Sequence, residues 1–199
     1  MTKTVSLIGL ENFPMIKSGD NLAKLIVKTA RDDGLTIDDG DIIVVAHKVV
    51  SKTEGTIVRR KDVKPSKKAE EIAKVTLRDP RLVELILREA KNIIKATREI
   101  LIVENMQGLI CVNAGIDKSN VEGDDAYALL PEDPDRSARQ IRSEINRLTG
   151  RKVAVVITDT YSRPFRRGQV EFAIGLAGVT AFRDYRDQRD LCGHILKVK

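Results

Sequence analysis

The chain has 199 residues, 42% hydrophobic and 32% charged, which supplies enough apolar side chains for a buried core and excludes a disordered polypeptide. No run approaches the roughly 20 apolar residues of a spanning helix, and Met1-Thr2-Lys3-Thr4 does not open a secretory leader, so a cytoplasmic protein without membrane contact is expected. The net charge of +6 would suit a nucleic-acid binder, but 4% aromatics and no Trp supply few stacking platforms, and Cys111 and Cys192 lack both the number for a disulfide framework and the spacing for zinc.

In chain order, Val5-Ser6-Leu7-Ile8-Gly9 reads as a strand. Ser18-Gly19-Asp20 then caps a helix whose Leu22, Leu25, Ile26 and Thr29 share one face, ending at Asp32-Asp33-Gly34. The β-branched run Ile42-Ile43-Val44-Val45-Ala46 reads as a buried strand. Pro65-Ser66 starts a helix to about Leu77, and Asp79-Pro80, an N-cap followed by proline at the first helical position, starts another. That second helix is expected to carry the stripe Leu82, Leu85, Ile86, Ala90 and Ile93. Ile100–Val103 and Leu109–Val112, joined by a short polar connection, predict an antiparallel hairpin. Asp133-Pro134 opens a helix to about Leu148, stopped by Gly150, and Val153–Ile157 predicts a buried strand stopping at Thr158-Asp159-Thr160. His194–Lys199 reads as the start of a strand, and both cysteines read as packing residues.

Hairpins mixed with helices imply an α+β fold of mixed sheets and packed helices in one domain spanning residues 1–199, with no repeat or linker. Charge is unevenly distributed: residues 104–135 hold one base, Lys118, against eight acids, whereas 136–199 hold fourteen bases against six acids. Acids followed by arginines suit metal ions meeting small polyanions, although solvated faces would look the same.

Four segments can carry that chemistry. Asp159-Thr160 ends an apolar strand, where a carboxylate and a hydroxyl can meet a hard cation such as Mg²⁺ or Mn²⁺; a turn-forming Asp is the plain alternative. In Val112-Asn113-Ala114-Gly115-Ile116-Asp117-Lys118-Ser119-Asn120, Ala and Gly permit close approach to the backbone, Asp117 offers a second carboxylate and Asn120 an amide; an Asx turn is the alternative. Arg163-Pro164-Phe165-Arg166-Arg167-Gly168 places guanidinium forks beside the Asp159 loop, fit for an anionic substrate. In Ala46-His47-Lys48-Val49-Val50-Ser51-Lys52, Lys52 is a candidate phosphate contact, Ser51 could add a hydroxyl, and His47 reads more readily as a hydrogen-bonding loop residue than as a general base. No Walker loop, dinucleotide fingerprint, nucleophile elbow or zincin motif occurs.

Taken in order, Phe13-Pro14-Met15-Ile16-Lys17-Ser18-Gly19-Asp20, Val49-Val50-Ser51-Lys52-Thr53-Glu54-Gly55, the Asn113-Ala114-Gly115-Ile116-Asp117 block and Ile157-Thr158-Asp159-Thr160 with Phe165-Arg166-Arg167-Gly168 resemble the coenzyme F420:L-glutamate ligase family. The resemblance implies a homodimer of two interleaved α+β parts. It also implies a GTP-dependent ligase that uses two divalent cations, Mg²⁺ or Mn²⁺, to add L-glutamate to the phospholactate-linked deazaflavin F420 precursor as a gamma-glutamyl amide, through an acyl phosphate. By motif it places nucleotide contacts at Phe13, Pro14, Met15, Ile16, His47, Lys48, Lys52 and Asn120 and metal ligands at Asp117, Asp159 and Thr160. With Arg167, the two aspartates are the expected catalytic residues, the arginines being assigned to the anionic substrate on chemistry alone. His47-Lys48 replaces the small hydroxyl residues some members carry, so backbone contacts are expected there. Members continue with a C-terminal segment bearing a further nucleotide loop and metal ligand, which is expected to be missing here. The competing readings are an acid–amine ligase for another anionic acid, an inactive truncated remnant and a basic nucleic-acid binder.

Overall fold

The computed structural model describes residues 4–121, 123, 125–161 and 167–197. In chain order its elements are α1 (Leu22–Asp32), β1 (Ile42–Ala46), α2 (His47–Glu54), β2 (Ile57–Arg59), α3 (Lys67–Thr76), α4 (Pro80–Arg88), β3 (Ala90–Ala96), β4 (Leu101–Asn105), β5 (Ile110–Val112), β6 (Ala126–Ala128), α5 (Pro134–Thr149), β7 (Ala154–Tyr161) and β8 (Val170–Ala177), with 3-10 turns at Arg60–Asp62 and Asn113–Gly115. The strands form a mixed sheet β1-β7-β8, a two-stranded β2-β6 ribbon and an antiparallel meander β3-β4-β5. This is an α+β fold.

Two cores follow from the apolar periodicities. In the first, Leu22, Ala23 and Ile26 of α1 and Ala138, Ile141 and Ile145 of α5, at helical spacing, close over Val45, Val155 and Ile157 of the mixed sheet. Fully buried Ile145 and Ile157 each contribute roughly 1.5–3 kcal/mol. In the second, α3 and α4 pack Ala69, Ala73, Val83 and Ile86 against Leu101 and Val103 of β4. The chain builds the first core from both ends of its sequence and the second from its middle. Buried Ser51 joins the two regions by donating to Leu129 O at 2.7 Å, and Leu129 N donates to Thr56 O at 3.1 Å.

Capping chemistry sets the helix ends. Asn21, Ser66, Asp79 and Asp133 each accept a first-turn amide, and Gly55 and Gly150 close α2 and α5 in left-handed conformation. Close packing explains one more glycine. A Cβ on Gly175 would lie 2.5 Å from Pro134 O, so only glycine lets β8 pass under the start of α5.

Several expectations are corrected. Residues 4–10 form no strand and leave Val5 and Leu7 exposed, because no strand among the described residues pairs with them. The α1 cap is Asn21, while Asp20 accepts Lys17 N in the preceding turn. Ile42–Ala46 is buried on one face only; Ile42 and Val44 are exposed on the other side of this edge strand. Helix α4 stops at Arg88, and Ala90 and Ile93 lie on β3, where pairing with β4 overrides a helical stripe that could have continued. Strand β7 runs through Thr158, Asp159 and Thr160 to Tyr161. Near the C-terminus only the bridge Arg189–Ile195 forms among the described residues, and Cys192 is exposed.

Candidate active site

The site is assembled by register. β1 and β7 run parallel with Ala46 opposite Thr158, so the next residues, His47 and Asp159, emerge side by side where the parallel pairing ends, toward the carboxyl ends of the strands, where open sheets display ligand sites. α2 begins at once, without a loop and without a side-chain cap on its first amides. His47 is therefore no loop residue. Its side chain is 2% exposed, and Nε2 lies 3.2 Å from Asp159 Oδ1 but is misdirected for a hydrogen bond. Both ring nitrogens are buried without a hydrogen-bond partner, an arrangement that costs on the order of 1–3 kcal/mol for each group.

Lys48 leaves the same first turn toward the other carboxylate. Its Nζ donates to Asp117 Oδ2 at 2.8 Å and to Ser119 Oγ at 2.7 Å. The path into Asp117 is a tight left-handed turn: Asn113, Ala114 and Gly115 all have positive φ. For buried Ala114 this conformation costs about 1–2 kcal/mol. A Cβ on Gly115 would lie 2.7 Å from Leu130 Cδ1, so the turn has room only for glycine there. Asp117 is then fixed by reciprocal backbone bonds with Ala128. Its carboxylate also accepts the Ser119 amide and hydroxyl, both at 2.8 Å. Burial alone would raise the Asp117 pKa, but the bonds from Lys48 and Ser119 and the lysine charge outweigh it and hold the carboxyl at about 2.

The second carboxylate sits close to β5. Burial, reinforced by the charge of Asp159, pushes the Cys111 thiol up to about 11, and Tyr161 Oη donates to Ile110 O at 2.7 Å. Asp159 accepts the Thr160 amide on Oδ1 at 2.7 Å. Consecutive strand residues face opposite sides of a sheet, so Asp159 points with Val155 and Ile157 toward His47, and Thr160 points to the other face. There Thr160 Oγ1 donates to Glu171 Oε1 on β8.

The remaining candidates divide into near and far. Lys52 lies one helical turn beyond Lys48 on the same side of α2. Ser51 is fully buried and donates its hydroxyl to backbone carbonyls, so it is a packing residue rather than a phosphate contact. Asn120 is exposed in left-handed conformation just after Ser119. Phe13 and Ile16 pack on the first core, while Pro14 and Met15 are exposed. The turn after them is tied by Gly19 N to Thr53 O at 2.9 Å, toward the far end of α2, about 9 Å along the axis from His47. Arg167 is exposed just ahead of β8, at the end of the hairpin that carries Thr160. Arg163, Phe165 and Arg166 lie outside the described residues. Sequence reasoning missed Ser119 and Glu171; the Asp-x-Ser spacing is the signal that could have found the first.

Among the described residues no three His, Cys, Asp or Glu side chains converge to hold a metal by themselves. The donor set still fits a hard cation that takes phosphate oxygens as its other ligands. Asp159 offers an oxygen, Oδ2, to which no described residue donates, whereas Asp117 would have to release Lys48. The comparison with known proteins agrees in kind: the family model for F420-0:gamma-glutamyl ligase matches residues 11–199. The chain belongs to that family. It is 45% identical over 195 residues to the coenzyme F420:L-glutamate ligase of Methanothermobacter thermautotrophicus, covering 98% of this chain and 77% of the relative. The enzyme of the same name from Methanocaldococcus jannaschii is 44% identical over 198 residues, 98% of this chain and 76% of the relative. That from Archaeoglobus fulgidus is 43% identical over 194 residues, 98% and 75% of the two chains. Every candidate from Phe13 to Arg167 lies inside the matched span.

Proposed function

We propose that this chain is a GTP-dependent ligase that joins L-glutamate to the phospholactate-linked deazaflavin F420-0. The observation that carries the proposal is the first turn of α2, where His47 lies against Asp159 and Lys48 against Asp117, gathering two carboxylates and a lysine at the end of a parallel strand pair. Family membership supports the substrates, since the relatives' names give glutamate and coenzyme F420.

In the proposed reaction a carboxylate oxygen of the acceptor attacks the γ-phosphorus of GTP, the bridging P–O bond breaks, and GDP leaves an acyl phosphate. The glutamate amine then attacks the acyl carbon, phosphate departs with its oxygen, and the amine loses a proton as the amide forms. Asp117, Asp159 and Thr160 would hold Mg²⁺ or Mn²⁺, which when bound offsets the negative charge of the phosphates. Lys48 and Lys52 supply cationic donors for phosphate, and the first-turn amides of α2, which no side chain caps, favour an anion. A nucleotide contact by His47 is confined to its backbone, because its ring is buried. Asn120 and the segment Phe13 to Ile16 are proposed to hold the rest of the nucleotide, Arg167 the anionic acceptor, and the protein to act as a cytoplasmic homodimer. No helix among the described residues is long and apolar enough to cross a membrane.

The test is turnover with F420-0 as acceptor, comparing GTP with ATP and glutamate with aspartate and glutamine. Amide formation and GDP release, in equal amounts and with GTP and glutamate only, are expected. Equal turnover with ATP or with another amino acid would overturn the assignment, and transfer to a different acid only would favour a related acid–amine ligase.

A further inference from the structure

Thr160 and Glu171 face each other across β7 and β8, directly in register, and the Thr160 hydroxyl donates its hydrogen to Glu171 Oε1. Both side chains are exposed, on the sheet face away from the first core, so the fold does not need the pair, since exposed cross-strand contacts add little to stability. Its chemistry is more specific. A threonine hydroxyl has one hydrogen and two lone pairs. Left to rotate, it turns either toward an incoming cation, and a hydrogen aimed at the cation blocks coordination. With the hydrogen committed to Glu171, both lone pairs face outward.

We infer that Glu171 is a positioning residue for Thr160: its carboxylate fixes the hydroxyl so that Oγ1 presents lone pairs to a divalent cation. The inference rests on the proposed role of Thr160 in cation binding. It also gives the two neighbouring residues of β7 distinct tasks, because Asp159 points to the His47 side of the sheet and Thr160 to the Glu171 side. One cation gripped by both side chains is not what this strand geometry favours. Separate contacts fit it, with Asp159 available to a cation on one side of the strand and Thr160 on the other. Hydrogen-bond partners of metal ligands typically matter about 10–100-fold in metal affinity.

The test is Mn²⁺ binding to the full chain in the presence of GTP, followed by calorimetry and by the Mn²⁺ electron paramagnetic resonance signal, for Glu171→Ala, Glu171→Gln, Thr160→Val and the double variant Glu171→Ala/Thr160→Val. Glu171→Ala is expected to weaken Mn²⁺ about tenfold. Glu171→Gln, which keeps an acceptor oxygen, loses less, and Glu171→Ala has no further effect once Thr160 is valine. Unchanged affinity in Glu171→Ala, or the same loss with and without the Thr160 hydroxyl, would overturn the inference. Absence of any Mn²⁺ binding by the unmodified chain would instead overturn the cation proposal on which it rests. Thermal melts identify a variant that has lost its fold.

Discussion

Replacing Lys48 by methionine keeps the apolar stem of the side chain and removes the ammonium that donates to Asp117 and Ser119. In the intact protein the Asp117 carboxyl is held at about 2 against an ordinary 3.8. A displacement of that size corresponds to roughly 2 kcal/mol, and because the Asp117 side chain is 39% exposed, solvent screening reduces it to about 1 kcal/mol. The folded-state pKa is depressed, so this stabilisation is fully present above the unfolded pKa and is lost as pH falls from about 4 toward 2. Lys48→Met leaves burial, which raises the pKa, opposed by the Ser119 bonds alone, so the Asp117 carboxyl is expected to titrate at higher pH. The variant should melt about 2–4 °C below the parent near neutral pH in chelator, with the gap narrowing as pH falls through ~4 to ~2. Carboxyl NMR titration and melts across that range measure both effects. An unchanged Asp117 titration, or a melting gap independent of pH, would refute the coupling.

Two further predictions concern the frame of the site. Gly175→Ala is expected to destabilise the protein by about 3 kcal/mol, since its Cβ would meet Pro134 O at 2.5 Å and the backbone at the start of α5 cannot yield as a flexible side chain would; denaturant unfolding measures it, and a loss below about 1 kcal/mol would show that α5 moves freely. Under native conditions near pH 8 a thiol reagent should modify exposed Cys192 quickly and buried Cys111, whose thiol is pushed up to about 11, only on unfolding. Rapid reaction of both cysteines in the folded protein would contradict the burial of Cys111 on β5.

Much of the frame was legible in the sequence because local chemistry announces it. Asp79-Pro80, Asp133-Pro134 and Gly150 mark helix ends by capping, and the hairpin of β4 and β5 follows from two apolar runs and a short polar turn. The failures arose where the deciding contact is distant in sequence. Ala90 and Ile93 continue the spacing of α4, and only pairing with β4 makes them a strand. β2 and β6 have three residues each and come from opposite ends of the segment that builds the second core, leaving no local pattern to read. Val5–Gly9 shows the converse: it has the composition of a strand and no partner among the described residues.

The site shows the same division. Asp117 and Asp159 stood out as carboxylates at strand ends, but their meeting through His47 and Lys48 depends on the parallel register of β1 with β7, which no short-range signal encodes. The orientation of Thr160 away from Asp159 required knowing that β7 continues through both residues instead of ending before them. Ser51 illustrates the opposite error: beside Lys52 in sequence it suggested a phosphate contact, yet α2 turns it inward to bond Leu129 O.

The most direct measurement is calorimetry of GTP binding with Mn²⁺ to the parent chain, Asp117→Asn, Asp159→Asn and the double variant. If the two carboxylates serve one cation–nucleotide site, each single change weakens binding at least about tenfold, or roughly 1.4 kcal/mol, and the double change costs clearly less than the sum of the two. Parent-like affinity in either single variant, or fully additive losses, would contradict a shared site built on the first turn of α2.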